Sequence, residues 1–401
     1  MIGMSARSDE FLVPKDQSLS WDNFARRSTS ARLPSIPQTS RRYLFFLARN
    51  AIYHSLRALD IQPGQSVLVP AFICAAAVEP IEAYGAKAVF YGVGQDCTPA
   101  FSDIEAKING ETRAILAVHY FGFPRGIRKI REMCDRHGLF LIEDCAHVLR
   151  GQDGDRPLGT FGEASVFSWR KFLPLYDGGE LVLNHWERDL TVEWHKENLL
   201  FTLRASKKLL EDALPEALAA ALAMLRLPKS SAEKVTALAQ RPVGGGRSLH
   251  IDPNSSSFEK EMVNFRISFL SRVLLEHCAL ESIVAKRREN YLYLQQWLGD
   301  LKGVRPLFDD LPAGICPWVF PLFFDDMPNG HVPLRKLGIP AVTWGGVRHP
   351  GVNSAEFPSA DFLYKNLVFL PIHQSLGPKD LNLIVNTVRA VRENGRADGS
   401  L

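Results

Sequence analysis

Apolar residues recur along this chain in two rhythms that alternate: stripes at three- and four-residue steps, and short unbroken runs. From Tyr43 onward, Leu44, Leu47, Ala48, Ala51, Ile52, Ser55, Leu56 and Leu59 fall on one stripe, which predicts a helix closed by Pro63-Gly64. Ser66-Val67-Leu68-Val69 then reads as a buried strand ending at Pro70. The rhythm repeats: a helix from Ala75 to Tyr84 stopped by Gly85, and a strand from Ala86 to Tyr91. A short helix over Ile104 to Ile108 precedes a strand from Ala114 to Val118 that ends at His119. A helix from Ile127 to Arg136 leads through Gly138 into the run Leu139 to Ile142, which delivers Glu143 and Asp144 at its end. Two more runs follow, Ala164 to Ser168 just before Arg170-Lys171, and Leu181 to Leu183 after a Gly-Gly pair. Alternating elements with short connections predict an α/β fold with a mostly parallel sheet covered by helices. Strands that end in charged residues place them at one rim, where such sheets bind ligands.

The rhythm breaks twice. Residues 1–40 are polar and rich in Ser, Arg and Pro, which predicts an N-terminal arm, either disordered or embracing a second subunit. Residues of about 186–260 are expected to form a helical insertion: Leu199 to Leu227 is rich in Ala and Leu, and Gly244-Gly245-Gly246 reads as a hinge. The large domain is therefore expected over 41–260. A long helix from Ser268 through Trp297 and a smaller α+β domain follow within 261–401. Strands are expected at Trp318 to Phe324, Ala341 to Thr343 and Leu367 to Leu370, with a last helix from Lys379 to Arg392.

Composition narrows the partners. A formal charge of +3 on 401 residues gives no concentrated basic face for nucleic acid. The densest basic run, Lys286-Arg287-Arg288, falls in an amphipathic helical pattern and reads as a solvated face. The six cysteines are scattered without a CxxC pair or zinc-ligand spacing, which fits a reduced, cytosolic chain. The first residues lack a signal-peptide apolar core, and no apolar stretch reaches the roughly 20 residues that span a bilayer.

A carboxylate and an amine on one sheet rim, Asp144 and Lys171, suit a cofactor that needs one cationic nitrogen held protonated and one amine free to bond covalently. Taken alone, a strand-end aspartate and a loop lysine are more often surface or ion-paired residues. Their surroundings add more. Leu141-Ile142-Glu143-Asp144-Cys145-Ala146-His147, then Leu158-Gly159-Thr160-Phe161-Gly162-Glu163-Ala164, then Phe167-Ser168, Lys171 and Asp177-Gly178-Gly179 come in a recognisable order. This block resembles the DegT/DnrJ/EryC1/StrS sugar aminotransferases, pyridoxal-phosphate enzymes of fold type I. Lys171 follows Ser168 more closely than is usual there, which marks a divergent member.

The resemblance implies that Lys171 is the covalent lysine and proton shuttle, and that Asp144 pairs with the pyridine nitrogen. It places His147, where the family usually has Gln, beside the cofactor ring; a polar residue satisfied at a helix start is the alternative. Ser168 falls on the phosphate-binding serine. At the start of the first large helix, Ala48 and Arg49 replace the Gly and Thr of the family's pattern. The backbone N–H groups of Arg49 and Asn50, with the Arg49 guanidinium, are then the expected phosphate ligands. Cys74 takes the place of the aromatic that stacks on the cofactor, unless it is simply a small buried residue at a strand-to-helix turn. Asn264, in Asn264-Phe265-Arg266-Ile267-Ser268, is expected to reach the phosphate of a neighbouring subunit, so that active sites are shared across a homodimer. Trp344, Arg348 and His349 are candidates for substrate contact or for structure. The implied activity is transfer of an amino group from an amino-acid donor, glutamate, to a nucleotide-linked keto-sugar. Other pyridoxal-phosphate chemistry on an amino acid, or a regulatory homologue without turnover, remain the alternatives.

Overall fold

The structure, a computed structural model, describes residues 11–18, 39–184, 189–195 and 258–397. The expected helix at 199–227, the glycine hinge and most of the N-terminal arm lie outside these residues.

The chain opens its sheet with β1 (Arg41–Phe45), then runs α1 (Ala48–Ala58), β2 (Ser66–Pro70), α2 (Ala75–Tyr84) and β3 (Lys87–Tyr91). It continues through α3 (Phe101–Lys107), β4 (Thr112–Val118), α4 (Ile127–His137) and β5 (Phe140–Cys145). A small hairpin of β6 (Gln152–Asp153) and β7 (Arg156–Pro157) precedes β8 (Ala164–Ser168) and β9 (Gly179–Leu183). Seven of these strands form one sheet in the order β1-β9-β8-β5-β4-β2-β3. All run the same way except β9, which is antiparallel to both neighbours. Parallel strands joined by helical crossovers bury both faces, which is why every residue of β2 and β8 is buried.

One face of the sheet packs on α1 and α2 through Ile52, Leu56, Val78 and Ile81. The opposite face packs on α3 and α4 through Ile104, Ile127 and Ile130. That second core runs without a break into the C-terminal region, through Phe121, Phe320 and Leu370. There α5 (Phe269–His277) and α6 (Leu280–Leu298) lead to β10 (Val304–Pro306), β11 (Phe320–Phe324), α7 (His331–Lys336), α8 (Pro358–Asn366), β12 (Leu367–Leu370) and α9 (Pro378–Ala397). The three strands form a separate antiparallel sheet, β10-β11-β12. The α/β architecture with a smaller C-terminal α+β region is as the sequence implies.

Three elements differ from expectation. Tyr43 to Phe45 belong to a strand, because their backbone pairs with β9 from Arg41 opposite Leu183 to Phe45 opposite Gly179. The long helix over 268–297 is two helices, broken where Cys278 turns extended at φ −66, ψ 136. Residues 341–343 make one isolated bridge, Val342 to Phe369, and no strand.

Candidate active site

A cavity of about 450 Å³ opens at the rim where β5 and β8 end, bounded by the start of α1 and the C-terminal region. Asp144, His147, Ser168, Lys171, Arg49 and Cys74 all line it. Successive strand residues point to opposite sides, so the adjacent carboxylates of β5 take different tasks. Glu143 is fully buried and accepts from the N–H groups of Gly159 (2.9 Å), Phe161 (2.6 Å) and Gly162 (2.7 Å) and from His119 Nε2 at 2.8 Å. It holds the loop before β8. Asp144 faces the cavity, with one oxygen accepting from the Ala146 N–H at 2.9 Å.

Burial raises the Asp144 pKa, opposed by the Lys171 charge and the Ala146 N–H. Burial lowers that of Lys171, opposed by Asp144 and Cys74. The two groups feel each other, yet no ion pair within 4.0 Å joins them among the described residues. Lys171 Nζ instead lies over the Trp318 ring, 4.7 Å from its centroid. A cation gains from an aromatic face, but far less than from a carboxylate in contact.

His147 is held well below the usual imidazole range by burial, reinforced by the Lys171 charge. Its Nδ1 accepts from the Phe121 N–H at 3.3 Å, which leaves Nε2 as the donor of a neutral ring. That ring stacks on Trp318 with centroids 4.0 Å apart. The Phe121 carbonyl in turn accepts from the Trp318 N–H at 2.9 Å. Phe121 pays for this double duty with a left-handed backbone, φ 59.

The start of α1 has no side-chain cap and no acidic residue in its first turn. The positive end of its dipole therefore favours an anion. Gly179 makes the approach possible: a Cβ there would fall 2.1 Å from the Leu47 carbonyl carbon and 2.3 Å from the Ala48 nitrogen. Ser168, 7% exposed, lies on the same cavity.

Two of the expected ligands are placed elsewhere. The Asn50 N–H donates to Leu47 O at 3.1 Å, and its side chain donates to Met262 O at 2.6 Å, so Asn50 faces away from the cavity. Ala48 and Arg49, at the start of the same helix, do line the cavity. Asn264 lies off this chain's cavity, its Oδ1 3.1 Å from His54 Nε2. Of the three substrate-contact candidates only Trp344 lines the cavity. Arg348 is bound to Asp361 at 2.8 Å and Val352 O at 2.6 Å, and His349 Nε2 lies 3.2 Å from Glu82.

The structure adds residues that the sequence patterns did not single out for the site. Trp318 is one. Arg287, placed on a solvated face by its pattern, is 1% exposed and lines the cavity. It donates to Gln374 Oε1 and Trp318 O, each at 3.0 Å, and to the carbonyls of Lys171 and Phe172 at 3.4 and 3.5 Å. Burial draws its pKa down to about 10. Its phase within α6, shared with Ile283 and Leu294, was the available signal that it points inward.

Residues 48–193 match the sequence model of the DegT/DnrJ/EryC1/StrS aminotransferase family. The motifs quoted above from Leu141 to Gly179 fall within that matched stretch. Two relatives illustrate it. GDP-perosamine synthase of Vibrio cholerae is 38% identical over 137 residues, 33% of this chain and 37% of that protein. The UDP-N-acetyl-3-dehydro-alpha-D-glucosamine 3-aminotransferase of Acidithiobacillus ferrooxidans is 37% identical over 137 residues, with the same shares. The match thus spans well under half the length of either relative. In architecture the chain has the fold of the aminotransferase TlmJ from Streptoalloteichus hindustanus, with a TM-score of 0.59 at 22% identity, over 88% of this chain and 86% of that one.

Proposed function

We propose that this protein is a pyridoxal-phosphate-dependent aminotransferase of the cytoplasm, which moves an amino group from an amino acid, glutamate, to a nucleotide-linked keto-sugar. One observation carries the reading: a half-buried amine and a buried carboxylate, Lys171 and Asp144, face one cavity within electrostatic reach and without a direct ion pair. The residues present suit that cofactor. Asp144 offers a carboxylate for a ring N–H, the Ala48 and Arg49 N–H groups with Ser168 offer donors for a phosphate, and His147 presents a neutral Nε2–H.

When bound, pyridoxal phosphate supplies an aldehyde for an amine and an electron-withdrawing ring. The chain's own residues do the rest. Lys171, whose pKa burial lowers, would offer Nζ to the aldehyde and would take and return the substrate's proton. Asp144 would hold the ring nitrogen in its protonated form. Arg287 fixes the Lys171 and Phe172 carbonyls, so the amine swings from an anchored backbone. By analogy with the family, Asn264 serves the site of a second copy, which makes the working unit a homodimer. No helix among the described residues is long and apolar enough to cross a membrane.

The test is spectroscopic. Protein loaded with pyridoxal phosphate should absorb in the visible, and Lys171→Ala should lose that band. Glutamate should bleach it and a nucleotide keto-sugar should restore it. A band that no amino acid bleaches would leave a regulatory homologue. Product formed from an amino acid with no keto acceptor would favour other amino-acid chemistry.

A further inference from the structure

Residues 11–18 lie along the cavity and are tied down at both ends. At one end, the Leu12 and Val13 N–H groups donate to Gly338 O at 2.9 and 3.4 Å, Val13 is fully buried, and the Arg335 guanidinium sits 4.8 Å from the Phe11 ring. At the other, Gln17 Nε2 donates to Arg170 O at 2.8 Å and Leu173 O at 2.9 Å, on either side of Lys171. The Ser18 N–H donates to Ser375 Oγ at 2.9 Å. Midway, His373 Nε2 donates to Pro14 O at 3.0 Å. The segment thus bridges the C-terminal region and the backbone around Lys171.

Between these ties stand Lys15 and Asp16. Both line the cavity. Both are exposed, and neither has an ion-pair or hydrogen-bond partner among the described residues. Every other side chain of the segment that makes a polar contact uses it to anchor the backbone, so these two charges are what the strap holds free. The cavity as a whole is lined by Lys15, Arg49, Arg170, Lys171 and Arg287 against two carboxylates, Asp16 and Asp144. That excess suits more than the single anion that the start of α1 would hold. Lysine is a point charge well matched to phosphate, and a carboxylate accepts from vicinal hydroxyls.

We propose that residues 11–18 are a substrate-reading wall, in which Lys15 binds the diphosphate of the acceptor's nucleotide carrier and Asp16 accepts from a sugar hydroxyl. This deepens the aminotransferase reading and rests on it for the identity of the acceptor. Holding the strap by its backbone fixes both charges before substrate arrives, which lowers the ordering cost of binding.

The experiment separates the two readings. Quenching of tryptophan fluorescence in the full-length, cofactor-loaded protein would report binding of GDP, UDP and dTDP, with no reaction required. Wild type should bind at least one of them, and Lys15→Ala should bind it at least tenfold more weakly, with a shallower salt dependence. Asp16→Asn should leave nucleotide binding unchanged and raise KM for the keto-sugar severalfold at similar kcat. The rate at which glutamate bleaches the visible band should be the same in all three. Equal nucleotide binding by wild type and Lys15→Ala, or none by wild type, overturns the proposal. Equal slowing of the glutamate step in both variants also overturns it, since the wall would then act on the cofactor. Failure of glutamate to bleach wild type sinks the aminotransferase reading alone, because nucleotide binding is scored independently.

Discussion

Glu143 and Asp144 are neighbours in sequence with opposite employments, and their substitution should have opposite consequences. Glu143 has no exposed atom and accepts from three loop N–H groups and from His119. Glu143→Gln would turn an NH₂ toward donors that need an acceptor. The expected cost is about 3 kcal/mol in urea unfolding, as for a buried charged acceptor whose partners are left unmatched. Cofactor affinity should follow only through the loss of folded protein. Asp144→Asn should do the reverse: little change in urea midpoint, because burial of its charge is already unfavourable, and strong loss of turnover with the visible band still present. Arg287→Met should separate packing from placement. Its long stem remains, but the donors to Lys171 O, Phe172 O and Trp318 O vanish. The expected result is a tenfold or greater fall in kcat with donor KM nearly unchanged, whereas a purely structural role would show only in the unfolding curve.

At the level of elements, two buried histidines set the response to acid. His54 on α1 and His373 after β12 are both drawn down to about 4 by burial. The Arg57 charge adds to this for His54, against hydrogen bonds to the Val263 backbone and Asn264. For His373, the Pro14 carbonyl and Asp380 oppose burial while Arg287 reinforces it. A folded pKa below the unfolded value means that the unfolded chain binds the proton more readily. Stability is therefore complete above about 6.5 and lost as pH falls toward 4, by on the order of 3 kcal/mol per histidine. Asp177, pushed up to about 6 by burial, works the other way and offsets part of the loss. The urea midpoint should fall between pH 7 and pH 5, and His373→Asn should flatten that fall. The limits of α2, β5 and β8 were legible because period, Gly stops and strand ends are local signals. Strand β1 was not, because its pairing partner β9 lies far along the chain and the stripe of α1 runs back through Leu44. The break at Cys278 has no Gly or Pro to announce it. At the site, Asp144, Ser168 and Lys171 were legible from one short block. Trp318, Arg287 and the strap reach the cavity only through tertiary packing.

For the whole molecule, the homodimer reading makes a complementation test decisive. Lys171→Ala and Asn264→Ala chains, each inactive alone, should regain about a quarter of wild-type activity when co-assembled at random, since half the dimers would carry one intact site. No recovery would place Asn264 outside the site. Strands β2 to β5 are joined by short crossovers, whereas β1 pairs with β9, and Phe45 bridges to Arg266. Closing such distant contacts costs chain entropy before any contact repays it. The parallel half of the sheet can therefore assemble from nearby segments while the β1–β9 edge, with the start of α1 and the turn at Gly179, joins last. The cavity rim is then the final part to mature during refolding, and recovery of the visible band expected of the loaded protein should lag behind recovery of secondary structure.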